Sequence, residues 1–85
     1  MVPLSDGARV VLYAMPMNAA HVLNNLACVE ADGAIRWVAS PGAYGPDEFT
    51  DVGLDGELLM ANTWSCYAIW LDTANGKEVR RAFTK

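Results

Sequence analysis

The sequence predicts an all-β chain, an antiparallel meander of about seven strands arranged in two blade-like sheets of three or four strands each. Three observations predict it. Turn dipeptides recur at Asp6-Gly7, Asp32-Gly33, Asp55-Gly56 and Asn75-Gly76, and such pairs supply the positive φ angles that tight hairpins need. Between them lie short runs rich in Val, Ile, Leu, Trp, Tyr and Phe, the residues that fit a pleated, half-buried surface. The two halves of the chain also echo each other: SDGARVVLYAM in the first overlays LDGELLMANTW in the second.

The elements follow in order. Residues 8–15 carry Val10, Val11, Leu12 and Tyr13 directly after Asp6-Gly7 and read as the first strand. The next stretch, MPMNAAHVLNNLA, is the one helix candidate, but Pro16 and Asn24-Asn25 interrupt it, which restricts it to a single turn around residues 18–21. Residues 22–30 and 34–39 flank Asp32-Gly33 as a hairpin. SPGAYGPDEF is a loop on composition, with Pro41, Gly42, Gly45 and Pro46 closely spaced, and it divides the chain. Strands at 48–54 and 57–63 then flank Asp55-Gly56, and strands at 65–72 and 78–84 flank Asn75-Gly76. The expected organisation is one domain of two blade-like units, residues 5–40 and 47–85.

The overlay continues past the first hairpins. Gly7 falls over Gly56, and LACVEADGAIRW then matches AIWLDTANGKEVRR with Gly33 over Gly76; the first copy carries extra residues around positions 16–21. A repeat of about 45 residues with three or four strands per unit has the period of β-propeller blades.

Composition narrows the partners. The chain has 85 residues and a mass of 9.2 kDa, enough for one small domain, yet 53% of it is hydrophobic and only 19% charged. A formal charge of -4 and a pI near 4.6 exclude the basic footprint of a nucleic-acid binder. Lys77, Arg80, Arg81 and Lys85 are interleaved with Glu78 and read as a solvated edge. The sequence holds no apolar run of about twenty residues, which excludes a spanning helix, and its start lacks the pattern of a signal peptide. No membrane partner and a cytoplasmic location are therefore expected.

In a strand alternate residues point to opposite faces. In residues 65–72, Cys66, Ala68 and Trp70 face one way while Tyr67, Ile69 and Leu71 face the other. Residues 57–64 set Leu58, Met60 and Trp64 against Leu59 and Ala61, and residues 8–15 set Val10 and Leu12 against Val11, Tyr13 and Met15. Both sides are apolar, whereas a sheet with one wet face alternates apolar with polar. Two stacked units cover one face each and leave two bare, so the expectation is a homo-oligomer, most simply a two-fold dimer. The alternative architecture is a small closed barrel or a compact sandwich.

LLMANTWSCYAIWLDTANGKEVRR and LACVEADGAIRW resemble blades of the quinoprotein-type (PQQ-like) β-propeller repeat, in which a strand ending in Leu-Asp precedes a Thr/Asn-Gly-Lys hairpin and the last strand closes with Trp. The likeness covers most of the chain. It departs where the second copy has Arg81 in place of the closing Trp37. The resemblance implies the sheet topology. The cofactors of such propellers sit in a central channel built from many blades, so no cofactor is implied for this short chain.

Chemistry-bearing residues are sparse. Cys28 and Cys66 lie in apolar runs and are expected as buried thiols, and two cysteines with the single His21 do not make a zinc site. His21 stands beside Asn18, Asn24 and Asn25 as a general-base candidate, but Ser5, Ser40 and Ser65 lack a nucleophile-elbow motif. Glu48, Asp51, Asp55 and Glu57 are explained by strand edges and a turn. The strongest ligand-binding candidate is NTWSCYAIW, in which Asn62, Trp64 and Tyr67, with His21, offer flat rings and hydrogen-bonding groups to a sugar, a nucleobase or a peptide. The plainer reading is that these rings pack the stacking faces. The expected function is a non-enzymatic module that self-associates and presents a binding surface to a protein or small ligand. The alternative is a small hydrolase or isomerase whose site at the subunit interface uses His21 or Asp51.

Overall fold

The computed structural model describes residues 1–13, 24–42 and 47–83. Every regular element among them is a strand: β1 (Val2–Pro3), β2 (Arg9–Leu12), β3 (Leu26–Val29), β4 (Ile35–Ala39), β5 (Phe49–Asp55), β6 (Leu58–Thr63), β7 (Tyr67–Asp72) and β8 (Glu78–Phe83). They form two four-stranded antiparallel sheets, ordered β1-β2-β3-β4 and β5-β6-β7-β8, and neither closes into a barrel. The sequence expectation of two blade-like meanders describes this fold. The strand it missed is β1, whose Pro3 argues against a strand everywhere except at a sheet edge, where β1 lies. The helical turn expected around residues 18–21 lies outside the described residues. Among the described residues no helix is long and apolar enough to cross a membrane.

Turn chemistry sets the registers. In the β1–β2 loop the Leu4 N–H donates to Ala8 O (2.8 Å), Gly7 takes φ +92°, and the Asp6 carboxylate accepts from the Ala8 N–H (3.1 Å). The β3–β4 loop repeats this pattern with Glu30 to Ala34 O (2.7 Å), Gly33 at φ +95°, and Asp32 accepting from the Ala34 N–H (3.0 Å). Both are three-residue loops whose last residue must be left-handed, the conformation that glycine adopts without steric cost. The β5–β6 loop has two residues, with Gly56 first at φ +62°. The β6–β7 loop returns to three residues, but Cys66 occupies the left-handed position at φ +72°.

The two sheets are the same unit twice, down to a β-bulge at the same place. In the first, pairing runs Cys28↔Trp37 and then Val29↔Ile35; in the second it runs Trp70↔Arg80 and then Leu71↔Glu78. Trp37 therefore corresponds to Arg80, where the overlay of Gly33 on Gly76 also places it, and not to the Arg81 read from the sequence. Carrying the rows across each sheet, Val10 corresponds to Met60 and Leu26 to Ala68. The first hairpins differ by one loop residue, which shifts the correspondence on β2 and β6 from the simple glycine overlay.

The sheets stack in the same orientation. β5 runs beside β1 and β2. At the hairpin end, the Trp37 indole N–H from β4 donates to Thr73 O in the β7–β8 loop (2.9 Å). At the opposite end the Asn25 amide donates to Phe49 O (2.9 Å) and accepts from the Phe49 N–H (2.9 Å), and Arg81 donates to Pro41 O (3.1 Å). Same strand order and same strand direction mean that unlike faces meet. If each sheet is viewed with its strands in chain order from left to right and its first strand pointing up, the near face of sheet one packs on the far face of sheet two. The near face of sheet one contributes Val10, Leu26, Cys28, Trp37 and Ala39; the far face of sheet two contributes Phe49, Leu59, Ala61, Ile69 and Leu71. These residues form one buried cluster, and burial of that apolar surface drives the stack.

Polar groups at the seam are paired. Asn25 is 1% exposed, and its amide also donates to Tyr13 O (3.1 Å). Among the described residues no buried side-chain nitrogen or oxygen lacks a hydrogen-bond partner. On sheet one the guanidinium of Arg36 bridges Glu30 (2.6 Å) and Asp6 (2.9 Å), joining its two hairpins. The Arg36 hydrogen bond holds the Glu30 carboxyl below its ordinary range, and the Ala8 N–H together with Arg36 does the same for Asp6.

Candidate functional site

Three of the four candidate residues belong to sheet two; His21 lies outside the described residues. Asn62 stands on β6 directly opposite Ala68 of β7, on the near face. Tyr67, one position before Ala68, points to the far face. Trp64 lies in the loop between them, 60% exposed, and its backbone N–H donates to Glu48 O (2.9 Å). Asn62 and Tyr67 are thus on opposite sides of the sheet, and the three residues do not converge on one ligand.

Tyr67 instead belongs to a cleft of about 500 Å³ at the end of the stack opposite the Gly7, Gly33, Gly56 and Gly76 hairpins. Pro41 and Gly42 form one wall, and Asp47, Ser65, Tyr67 and Arg81 form the others. Its floor is a hydrogen-bonded bracket around Asp47, which is 4% exposed. The Asp47 carboxylate accepts from the Ser65 hydroxyl (2.7 Å), the Ser65 N–H (3.1 Å) and the Glu48 N–H (3.0 Å). The Ser65 and Thr63 hydroxyls share a further bond (3.0 Å), and Thr63 accepts from the Tyr67 N–H (3.1 Å). This bracket fixes the β6–β7 loop, in which Cys66 sits left-handed.

The outer wall of the cleft is aromatic and cationic. The Phe83 ring meets Tyr67 edge-on at 5.3 Å, and the Arg81 guanidinium lies 5.1 Å from the centre of the Tyr67 ring. Arg81 is held by Glu78 (2.6 Å), which raises its pKa further, and it also donates to Pro41 O. Flat apolar surface beside a fixed guanidinium suits a planar or carboxylate-bearing group or an extended peptide. The Ser65 hydroxyl is tied to the Asp47 carboxylate, and no nucleophile-elbow motif surrounds it. Nor do three metal-ligating side chains converge anywhere among the described residues.

A second cleft, of about 600 Å³, opens at the hairpin end between Leu4, Asp6, Leu54, Glu57, Leu58 and Asp72. Asp55, one of the carboxylates weighed from sequence, accepts from the Trp70 indole N–H (2.7 Å) on the near face of sheet two. Asp51 is exposed, and its carboxylate accepts from the N–H of Val52 (2.9 Å). Cys28 is fully buried, which pushes its thiol up. Cys66 is half-buried in a loop and not inside a strand as expected, because Tyr67 is the first residue of β7.

A family model for a domain of unknown function, DUF7957, matches residues 2–83 and so spans both sheets. The chain belongs to the DUF7957 family. Neither the curated proteins nor the solved structures hold a match to it. The matched residues run from β1 to β8.

Proposed function

We propose that this DUF7957 chain is a non-enzymatic, β-propeller-like module that self-associates and presents a binding surface to a protein or a small ligand. The observation that carries the reading is the stack itself. Two equivalent sheets lie in the same orientation, as successive propeller blades do, so one apolar face is left at each end of the pair. On the outer face of sheet one Ile35 and Val38 are 55% and 54% exposed. Isolated exposed apolar residues are ordinary, but here they share a face with Val11 of β2 and with Ala27 and Val29 of the intervening β3, both of which are buried. The resemblance of LLMANTWSCYAIWLDTANGKEVRR to quinoprotein-type blades supports the same architecture.

The binding surface in this reading is the cleft around Tyr67 and Arg81, flanked by exposed Trp64 and Phe83. Light scattering behind a sizing column, over about a hundredfold range of concentration, tests the self-association. The expected mass is a multiple of the 9.2 kDa chain. A strict monomer at every concentration overturns the reading.

A further inference from the structure

We infer that the partner on the outer faces is a second copy of this chain, bound head to tail: the near face of sheet two in one copy packs on the far face of sheet one in the next. This rests on the self-association proposed above and specifies its geometry. Inside the chain the stacking contact joins a near face to a far face. The two faces left over are again one near and one far, and each corresponds residue for residue to a face already used. Met60, Ala68, Trp70 and Arg80 stand where Val10, Leu26, Cys28 and Trp37 stand on sheet one. A head-to-tail neighbour therefore repeats a contact that this backbone demonstrably makes, whereas a like-to-like contact requires a packing found nowhere in the molecule.

Shape and charge at the two faces agree. Within the chain, Trp37 covers the β7–β8 hairpin so closely that a Cβ on Gly76 would lie 2.5 Å from the indole. The corresponding hairpin of sheet one is bare: nothing lies within 4 Å of a Cβ built on Gly33. In the head-to-tail arrangement that hairpin receives the residue equivalent to Trp37, which is Arg80. The Arg80 guanidinium stacks at 3.9 Å over the Trp70 ring. The hairpin that meets it carries the exposed Asp32, so a cation faces a carboxylate. Beside them Ile35 and Val38 on β4 of one copy face the β8 side of the next, which carries Ala82.

Such a contact is heterologous, and it closes into a ring or continues as a filament according to its rotation. Propellers close with about four to eight blades. Two sheets per chain then give rings of two, three or four copies, and the two-copy ring has the two-fold symmetry expected from the sequence.

Two surface variants separate this geometry from the alternatives. Ile35→Glu with Val38→Glu blocks only the far face of sheet one; Arg80→Glu with Ala82→Glu blocks only the near face of sheet two. All four positions are exposed, and circular dichroism checks that each variant retains its β-sheet signature. The expected result is that each variant alone is monomeric by light scattering, while an equimolar mixture forms a one-to-one complex that grows no further. If one variant keeps the unmodified chain's assembly while the other becomes monomeric, the contact is like-to-like and the inference is overturned. Unchanged mass for both variants overturns it as well, by placing the contact elsewhere. A monomeric unmodified chain instead defeats the underlying proposal of self-association.

Discussion

Sheet one and sheet two have one architecture, yet equivalent positions differ in what lies beyond them. Trp37, 7% exposed, reaches out of sheet one and donates to Thr73 O of sheet two. Arg80, its counterpart, has only its own sheet and rests on Trp70. Gly76 lies under an indole, and Gly33 faces open space. The same backbone unit is therefore tolerant or intolerant of substitution according to whether a neighbouring sheet covers it, which separates the demands of the fold from those of the stack.

The sharpest test is truncation at the matched pair. Trp37→Ala should cost about 4 kcal/mol by removing a buried aromatic and leaving a cavity between the sheets. Arg80→Ala should cost about 0.5 kcal/mol, the size of an exposed cation–π contact. Urea unfolding at a concentration where the chain is monomeric reads both, and equal costs would break the comparison. The second test uses the glycines. Gly33→Ala carries only the strain of a left-handed alanine, about 1 kcal/mol, whereas Gly76→Ala adds overpacking against Trp37 and should reach about 3 kcal/mol. Thermal melts of the two variants suffice.

Much of this was legible in the sequence, for reasons that also mark where reading stopped. All four turn dipeptides lie in hairpins that join consecutive strands, because Gly supplies the left-handed residue and, at Asp6, Asp32 and Asn75, the side chain caps the loop. The repeat was legible because those loops recur in equivalent places. Face assignment was not, since alternation sorts residues into two sets without saying which set meets the other sheet. The bulge opposite Cys28 and Trp70 was also silent. Asn25 read as a helix breaker; its role as the clamp on Phe49 depends on a contact between residues 24 positions apart. At the candidate site, the exposure of Trp64 and the aromatic surround of Tyr67 fit the composition of NTWSCYAIW. The separation of Asn62 from Tyr67 and the Asp47 bracket arise from loop geometry that composition does not encode.

A third test uses Cys66. It holds the left-handed place that Gly7 and Gly33 hold in the three-residue loops of sheet one. Cys66→Gly should stabilise the chain by about 1 kcal/mol, seen as a higher urea midpoint at unchanged slope. A loss of stability would mean that the Asp47 bracket needs the cysteine side chain.

The same-orientation stack has a consequence for chain length. When units pile up by translation, the number of uncovered faces is two whatever the number of units. Duplicating a unit buries one more seam and exposes nothing new, so such a chain gains stability with each copy and never resolves its ends by growing. Only joining the last unit to the first removes them.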